Sequence, residues 1–196
     1  MAADAKHPFM SLEEYLELDR NSLDARYEFI DGMVTILAGR TTNHSRISVN
    51  VVSHLHAALR GSPCQIFNSD LRFSISRTRY VLPDASVSCD PRDLAEESDI
   101  IYSPRVIIEV LSPSTEATDR GKKFRYYQSC PSIQEYVLIS TQEQAVDVYR
   151  RATNNFWTLH PFGPGDEVEL KSIDVSIPID ALYENVILPA GEYHEL

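Results

Sequence analysis

The segment Arg105-Val-Ile-Ile-Glu-Val-Leu111 decides the fold. Its nearly continuous Val, Ile and Leu content reads as a strand buried on both faces. Glu109 interrupts that run, and an ionised carboxylate there is costly unless something pairs with it. Upstream, Tyr80-Val-Leu-Pro-Asp84 leads into a strand over Ala85-Ser-Val-Ser-Cys89. Pro83 lacks an N–H and fits a strand start or edge, which puts Asp84 at the start of that strand. Downstream, Thr118 to Ser129 reads as a helix with Phe124, Tyr127 and Gln128 on one side, and Pro131 marks its end. Glu135-Tyr-Val-Leu-Ile139 is the next strand. The strand–helix–strand unit from Val106 to Ile139 predicts a right-handed crossover joining two parallel strands.

Shorter elements surround this unit. Ser11 and Glu14 form a capping box for a helix striped by Leu12, Tyr15 and Leu16. Arg26–Ile30 and Met33–Leu37, joined by Asp31-Gly32, predict a hairpin. Asn43 is placed to cap a second helix, whose stripe is Ile47, Val51, Leu55 and Leu59 and whose stop is Gly61. Gln65–Phe67, Leu71–Ile75, Ala145–Tyr149, Phe156–Leu159, Val168–Leu170 and Val175–Ile177 read as strands, and 90–99 as a polar loop. Helices and strands alternate too unevenly for a doubly wound repeat. The expected class is therefore α+β (an α/β core): a central mixed sheet flanked by helices, with an N-terminal hairpin and C-terminal strands.

The 196 residues suit one domain spanning 1–196. No apolar run reaches the roughly 20 residues that cross a bilayer, and the first residues carry no signal pattern. The expectation is a soluble cytoplasmic protein with no membrane partner and no organic cofactor. Cys64, Cys89 and Cys130 form no Cys-x-x-Cys pair, so neither a zinc site nor a disulfide is expected. A net charge of -11 argues against a large phosphate-binding surface. A local divalent ion offsets part of that objection.

Asp84 and Glu109, on adjacent strands, can share one hard cation such as Mg²⁺ or Mn²⁺, with the Val110 carbonyl as a further ligand. Such an ion stabilises charge developing at phosphorus. A nearby lysine offsets charge and orients water. Lys123 adjoins the helix face that meets the sheet, whereas Lys122 points further round; Lys122 stays a secondary candidate. Arg120 and Arg125 complete the densest basic cluster and are candidate phosphate contacts at the helix start. Glu28, in the first hairpin, is a candidate third acid, with an exposed strand position as the alternative. His44 reads as a surface or first-turn histidine of the second helix, with a phosphate contact as the alternative. His54 and His56 lie two apart and do not face each other. Ser112 and Ser114 have no histidine–acid partners.

Over nearly the whole chain the sequence resembles a large bacterial family of restriction endonucleases of the Uma type, within the PD-(D/E)XK nuclease superfamily. The stretches that carry the likeness are Tyr27-Glu-Phe-Ile-Asp-Gly32, Tyr80-Val-Leu-Pro-Asp84 and Ile108-Glu-Val-Leu-Ser-Pro-Ser-Thr115. Asp119-Arg-Gly-Lys-Lys-Phe124 and Pro131-Ser-Ile-Gln-Glu-Tyr-Val-Leu138 extend it. The resemblance implies a restriction-endonuclease-like mixed sheet with Asp84 and Glu109 on adjacent strands. It also implies a catalytic lysine from the following helix, matched by Lys123, and an acid in the first hairpin, matched by Glu28. Leu111 stands where the superfamily motif has its lysine. The expected function is Mg²⁺- or Mn²⁺-dependent cleavage of DNA, with a homodimer formed through strand edges from Phe156 onward. The alternatives are a catalytically silent binding module, and an RNA nuclease or repair resolvase using the same site.

Overall fold

The computed structural model of the protein describes residues 6–7, 9–37, 41–95 and 98–189. In chain order its elements are Lys6–His7 (β1), Leu12–Asn21 (α1), Tyr27–Ile30 (β2), Met33–Ile36 (β3), Thr42–Ala58 (α2), Gln65–Asn68 (β4), Arg72–Ser76 (β5) and Arg79–Val81 (β6). Ala85–Ser88 (β7), Pro91–Leu94 (α3), Ile100–Ile101 (β8) and Pro104–Val110 (β9) follow. Next come Glu116–Thr118 (α4), a π-helical turn Asp119–Lys123, and Phe124–Gln128 (α5). The chain closes with Glu135–Ile139 (β10), Val146–Arg151 (β11), Trp157–Phe162 (β12), Glu167–Leu170 (β13), Val175–Pro178 (β14) and Ile179–Leu182 (α6).

The described strands form two six-stranded sheets, not one central sheet. One has the order β1-β3-β2-β6-β5-β8 and the other β12-β11-β10-β9-β7-β4; β13 and β14 pair separately. Both large sheets are mixed: β9 runs parallel to β10 and antiparallel to β7, and β5 runs parallel to β8. The chain leaves the first sheet at Val81 and enters the second at Ala85. Leu82-Pro83-Asp84 makes that crossing. Pro83 has no N–H to give a ladder, so neither sheet can continue through it.

The second sheet is buried on both faces, as its composition predicts. Val106, Ile108 and Val110 of β9 point with Val137 and Ile139 toward Ile47, Val51 and Leu55 of α2. Ile107 and Leu111 point the other way, toward Phe73, Tyr127, Tyr136 and Leu138. Each of these fully buried aliphatic side chains contributes roughly 1.5–3 kcal/mol. Glu109 shares the second face by strand alternation. The Asp31-Gly32 hairpin forms as expected, with positive φ of 51° and 89° at its two turn residues.

Three local expectations need correction. Thr41, not Asn43, caps α2, its hydroxyl accepting from the His44 N–H; the Asn43 side chain instead donates to the Ile187 carbonyl. The polar loop contains a helical turn at Pro91–Leu94, capped by Asp90. The expected absence of a disulfide is overturned: Cys64 and Cys89 are bonded, and only Cys130 is free. They lie 25 residues apart, yet β4 and β7 pair Gln65 with Ser88 and bring their neighbours together. Reduction is expected to lower stability by roughly 2–4 kcal/mol. Thiol titration of the unreduced, unfolded protein checks the pairing by returning one free thiol rather than three.

Candidate functional site

The site lies at the seam between the two large sheets. Asp84 directly precedes β7, where Ala85 opposes Ile108 of β9, so Asp84 and Glu109 are cross-strand neighbours. Both line one cavity of about 250 Å³. Asp84 Oδ2 accepts the Val110 N–H at 2.7 Å, which fixes the acid against the end of β9. Glu28 reaches the same place from the other sheet. Its Oε1 accepts the Leu82 N–H at 3.2 Å and lies 2.9 Å from Lys123 Nζ. Glu28 is buried, so the exposed alternative does not hold.

Lys123 Nζ sits among the acids, 3.1 Å from Glu109 Oε1 and 3.6 Å from Asp119 Oδ1. The π-helical turn delivers it. An inserted residue in a helix re-aims the side chains around it, and such turns concentrate at functional sites. Lys122 is exposed, with its ammonium 6.0 Å from the Tyr126 ring. Arg120 is not brought to the acids either; it bonds Glu116 at 2.7 Å and Asp147 at 2.6 Å. Arg125 is exposed on α5. The expected basic cluster therefore divides into one buried ammonium, one arginine paired with two acids, and two exposed cations. Leu111 is buried in the core.

Three further residues belong to this constellation. Asp119 is buried, and its place four residues before Lys123 was the available signal, because such pairs share a helix face. Tyr127 Oη donates to Glu109 Oε1 at 2.8 Å; its position on the sheet-facing side of the helix gave the face but not the partner. His44 Nε2 lies 3.2 Å from Asp84 Oδ2. Nothing local in the sequence pairs a residue of α2 with the start of β7.

Charge balance separates this cluster from the other buried acids. Asp19 is matched by Arg72, and Glu135 by Arg150. Among the described residues four buried acids, Glu28, Asp84, Glu109 and Asp119, gather at the seam with buried Lys123 and His44. Burial pushes the Glu109 carboxyl from 4.5 up to about 8; Lys123 pulls against this, and Asp119, Asp84 and Glu28 reinforce it. Burial also raises Asp119, again opposed by Lys123. For Lys123, burial works against the charge, but Glu109, Glu28 and Asp119 outweigh it and hold the amine well above its ordinary value.

A pH dependence follows. The folded-state value of Glu109 lies above its unfolded one, so its contribution to stability is full below about pH 4.5 and is lost as pH rises through about 8. Lys123 stays charged across that window. Thermal melts in EDTA are expected to show stability from this cluster falling between those limits, and Glu109→Gln is expected to flatten that fall.

The donor set suits a hard divalent cation. Among the described residues no three acid, histidine or cysteine side chains form a closed metal shell. Mg²⁺ needs no such shell, because it commonly takes one or two carboxylates and keeps several waters. Two buried carboxylates and the Val110 carbonyl, all lining the one cavity, meet that requirement.

Residues 12–180 match the model of a family, Uma2, described as "Putative restriction endonuclease". Two Synechocystis proteins are similar. Slr1290 is 40% identical over 183 residues, covering 93% of this chain and 95% of that protein. Sll1609 is 29% identical over 178 residues, covering 89% and 100%. Both are described as uncharacterized. A crystal structure of "a putative nuclease belonging to DUF820" from Anabaena variabilis is 24% identical with a TM-score of 0.74, covering 91% of this chain and 99% of that one. That likeness bears on the fold, and it bears out the expected α+β, restriction-endonuclease-like arrangement of mixed sheets and helices.

Proposed function

The chain belongs to the Uma2 restriction-endonuclease family, and from that premise we propose that it is a Mg²⁺- or Mn²⁺-dependent endonuclease hydrolysing phosphodiester bonds in DNA. The observation that carries this reading is the meeting, among the described residues, of Asp84, Glu109 and Lys123 in one cavity at the seam. Asp84 and Glu109, with the Val110 carbonyl, would hold the cation. When bound, it supplies Lewis-acid stabilisation of charge on the phosphate.

The remaining work falls to the chain's own groups. Lys123 is a charged ammonium in the fold, so it donates hydrogen bonds and does not accept a proton. It orients the attacking water and offsets negative charge on the phosphoryl oxygens. Glu28 and Asp119 hold Nζ in place from two different elements. Tyr127 fixes the Glu109 carboxylate through its hydroxyl. His44 steadies Asp84 from the first turn of α2. Lys122 and Arg125, both exposed, meet the substrate backbone outside the cavity. The whole chain, 1–196, acts as one nuclease domain. Cutting both strands of a duplex calls for two copies, and β12 offers an edge with Phe156 and Leu159 exposed.

The test pairs calorimetric titration of Mn²⁺ with a nicking assay on supercoiled plasmid. Binding that is lost in Glu109→Gln, with nicking only in the presence of the metal, is the expected result. No nicking of any DNA substrate by a protein that binds Mn²⁺ would remove the proposal.

A further inference from the structure

The acid cavity is not closed. A second cavity, of about 580 Å³, meets it at His44 and Asp84, which line both. Its wall on α2 runs from Ser45 to Ser48, Val49, Val52, Ser53 and His56. These recur at helical spacing on one face, and the twelve residues from Ser45 to His56 extend it over roughly 17 Å. Asn68, at the end of β4, lies on the opposite wall.

The chemistry of the lining is specific. Among the described residues no lysine or arginine lines this groove, and its sole carboxylate, Asp84, stands at the end shared with the acids. Hydroxyls, an amide, imidazole and two valines remain. A track for the phosphates of a duplex draws on Lys and Arg, and it gains affinity by releasing counterions. The described lining of this groove offers neither. It offers donors and acceptors for base edges, with apolar surface for a base face. Its volume falls in the usual range for pockets that hold a small molecule. Bases present those edges and faces when they are unstacked.

We propose that the groove along α2 seats an unstacked nucleotide, next to the phosphate that meets the cation site, so that single-stranded or frayed DNA is preferred over intact duplex. This rests on the endonuclease reading and names the substrate class for the same site. It also accounts for a nucleic-acid enzyme with a net charge of -11: contacts to the base replace part of the affinity that other nucleases draw from basic surfaces.

Val49 tests it, because it is 62% exposed on the groove wall and belongs to no core cluster. Binding of a labelled single-stranded oligonucleotide and of its duplex is measured by anisotropy, with Ca²⁺ in place of Mn²⁺. Wild-type protein is expected to bind the single strand about tenfold more tightly, and Val49→Trp to lose about tenfold on the single strand only. Its melting temperature and Mn²⁺ titration are expected to stay unchanged. If Val49→Trp melts lower, Ser53→Phe on the same wall replaces it. Leu23→Trp, at an exposed site before β2, is the control. Equal affinity for both substrates, or single-strand affinity unaffected by the filled groove, overturns the inference while Mn²⁺-dependent cleavage leaves the endonuclease reading standing. Failure to bind or cleave any DNA overturns both.

Discussion

Glu109→Gln is expected to reduce Mn²⁺-dependent cleavage by about 10³-fold or more, equivalent to roughly 4 kcal/mol of transition-state stabilisation, without weakening the fold. The two halves of this result have different causes. Activity is lost because an amide is a poor ligand for a hard cation. Stability is kept because the amide oxygen still accepts from Lys123 and from the Tyr127 hydroxyl, the two donors that Glu109 Oε1 has now. The substitution also removes a negative charge that burial makes unfavourable. At pH 8 without metal the variant is therefore expected to melt at or above the wild-type temperature. At pH 5 the two are expected to converge, because the wild-type carboxyl is then protonated, its value lying near 8. Plasmid nicking and melts at both pH values check this. Full activity in the variant sinks the metal-ligand role. A large drop in melting temperature at pH 8 means that Glu109 is structural.

The acid pair was legible because each acid disturbs a local pattern. Glu109 breaks an apolar strand, and Pro83 marks the start at which Asp84 stands. Lys123 was legible from helix geometry, since it adjoins the side facing the sheet. The strand positions carrying these residues were legible as well; β9 and β10 lie within a residue of the segments read from the sequence. What escaped depends on the meeting of distant segments. Pro83 announces a break but not a change of sheet, so two sheets looked like one. His44 and Asp84 are brought together by packing of α2 on the second sheet. Cys64 and Cys89 become neighbours through the register of β4 and β7. The π-helical turn has no composition signal; Asp119-Arg-Gly-Lys-Lys123 reads as an ordinary basic helix start. Arg120 looked free for phosphate only because Asp147, 27 residues later, was not known to be beside it.

Asp19→Ala is expected to cost about 3–5 kcal/mol, because it removes one partner of a buried ion pair. Arg72 is 3% exposed, and its guanidinium bonds Asp19 and Asp99. Asp19 also accepts the Tyr27 N–H at 2.9 Å, and so joins α1 to the hairpin that carries Glu28. After the substitution Arg72 keeps Asp99, whose side chain is 41% exposed, and the bond from the Tyr27 N–H to Asp19 is lost. For a chain of this length that loss lowers the melting temperature by roughly 6–20 °C. Calorimetry of the single variant measures it. The double variant Asp19→Leu with Arg72→Met separates two causes. A buried pair replaced by apolar groups of similar volume is often neutral, so the double variant is expected to recover most of the loss. If it melts as low as Asp19→Ala, the stranded arginine is not the cause. The lost bond from Tyr27 to Asp19, at the base of the strand that delivers Glu28, then accounts for the damage.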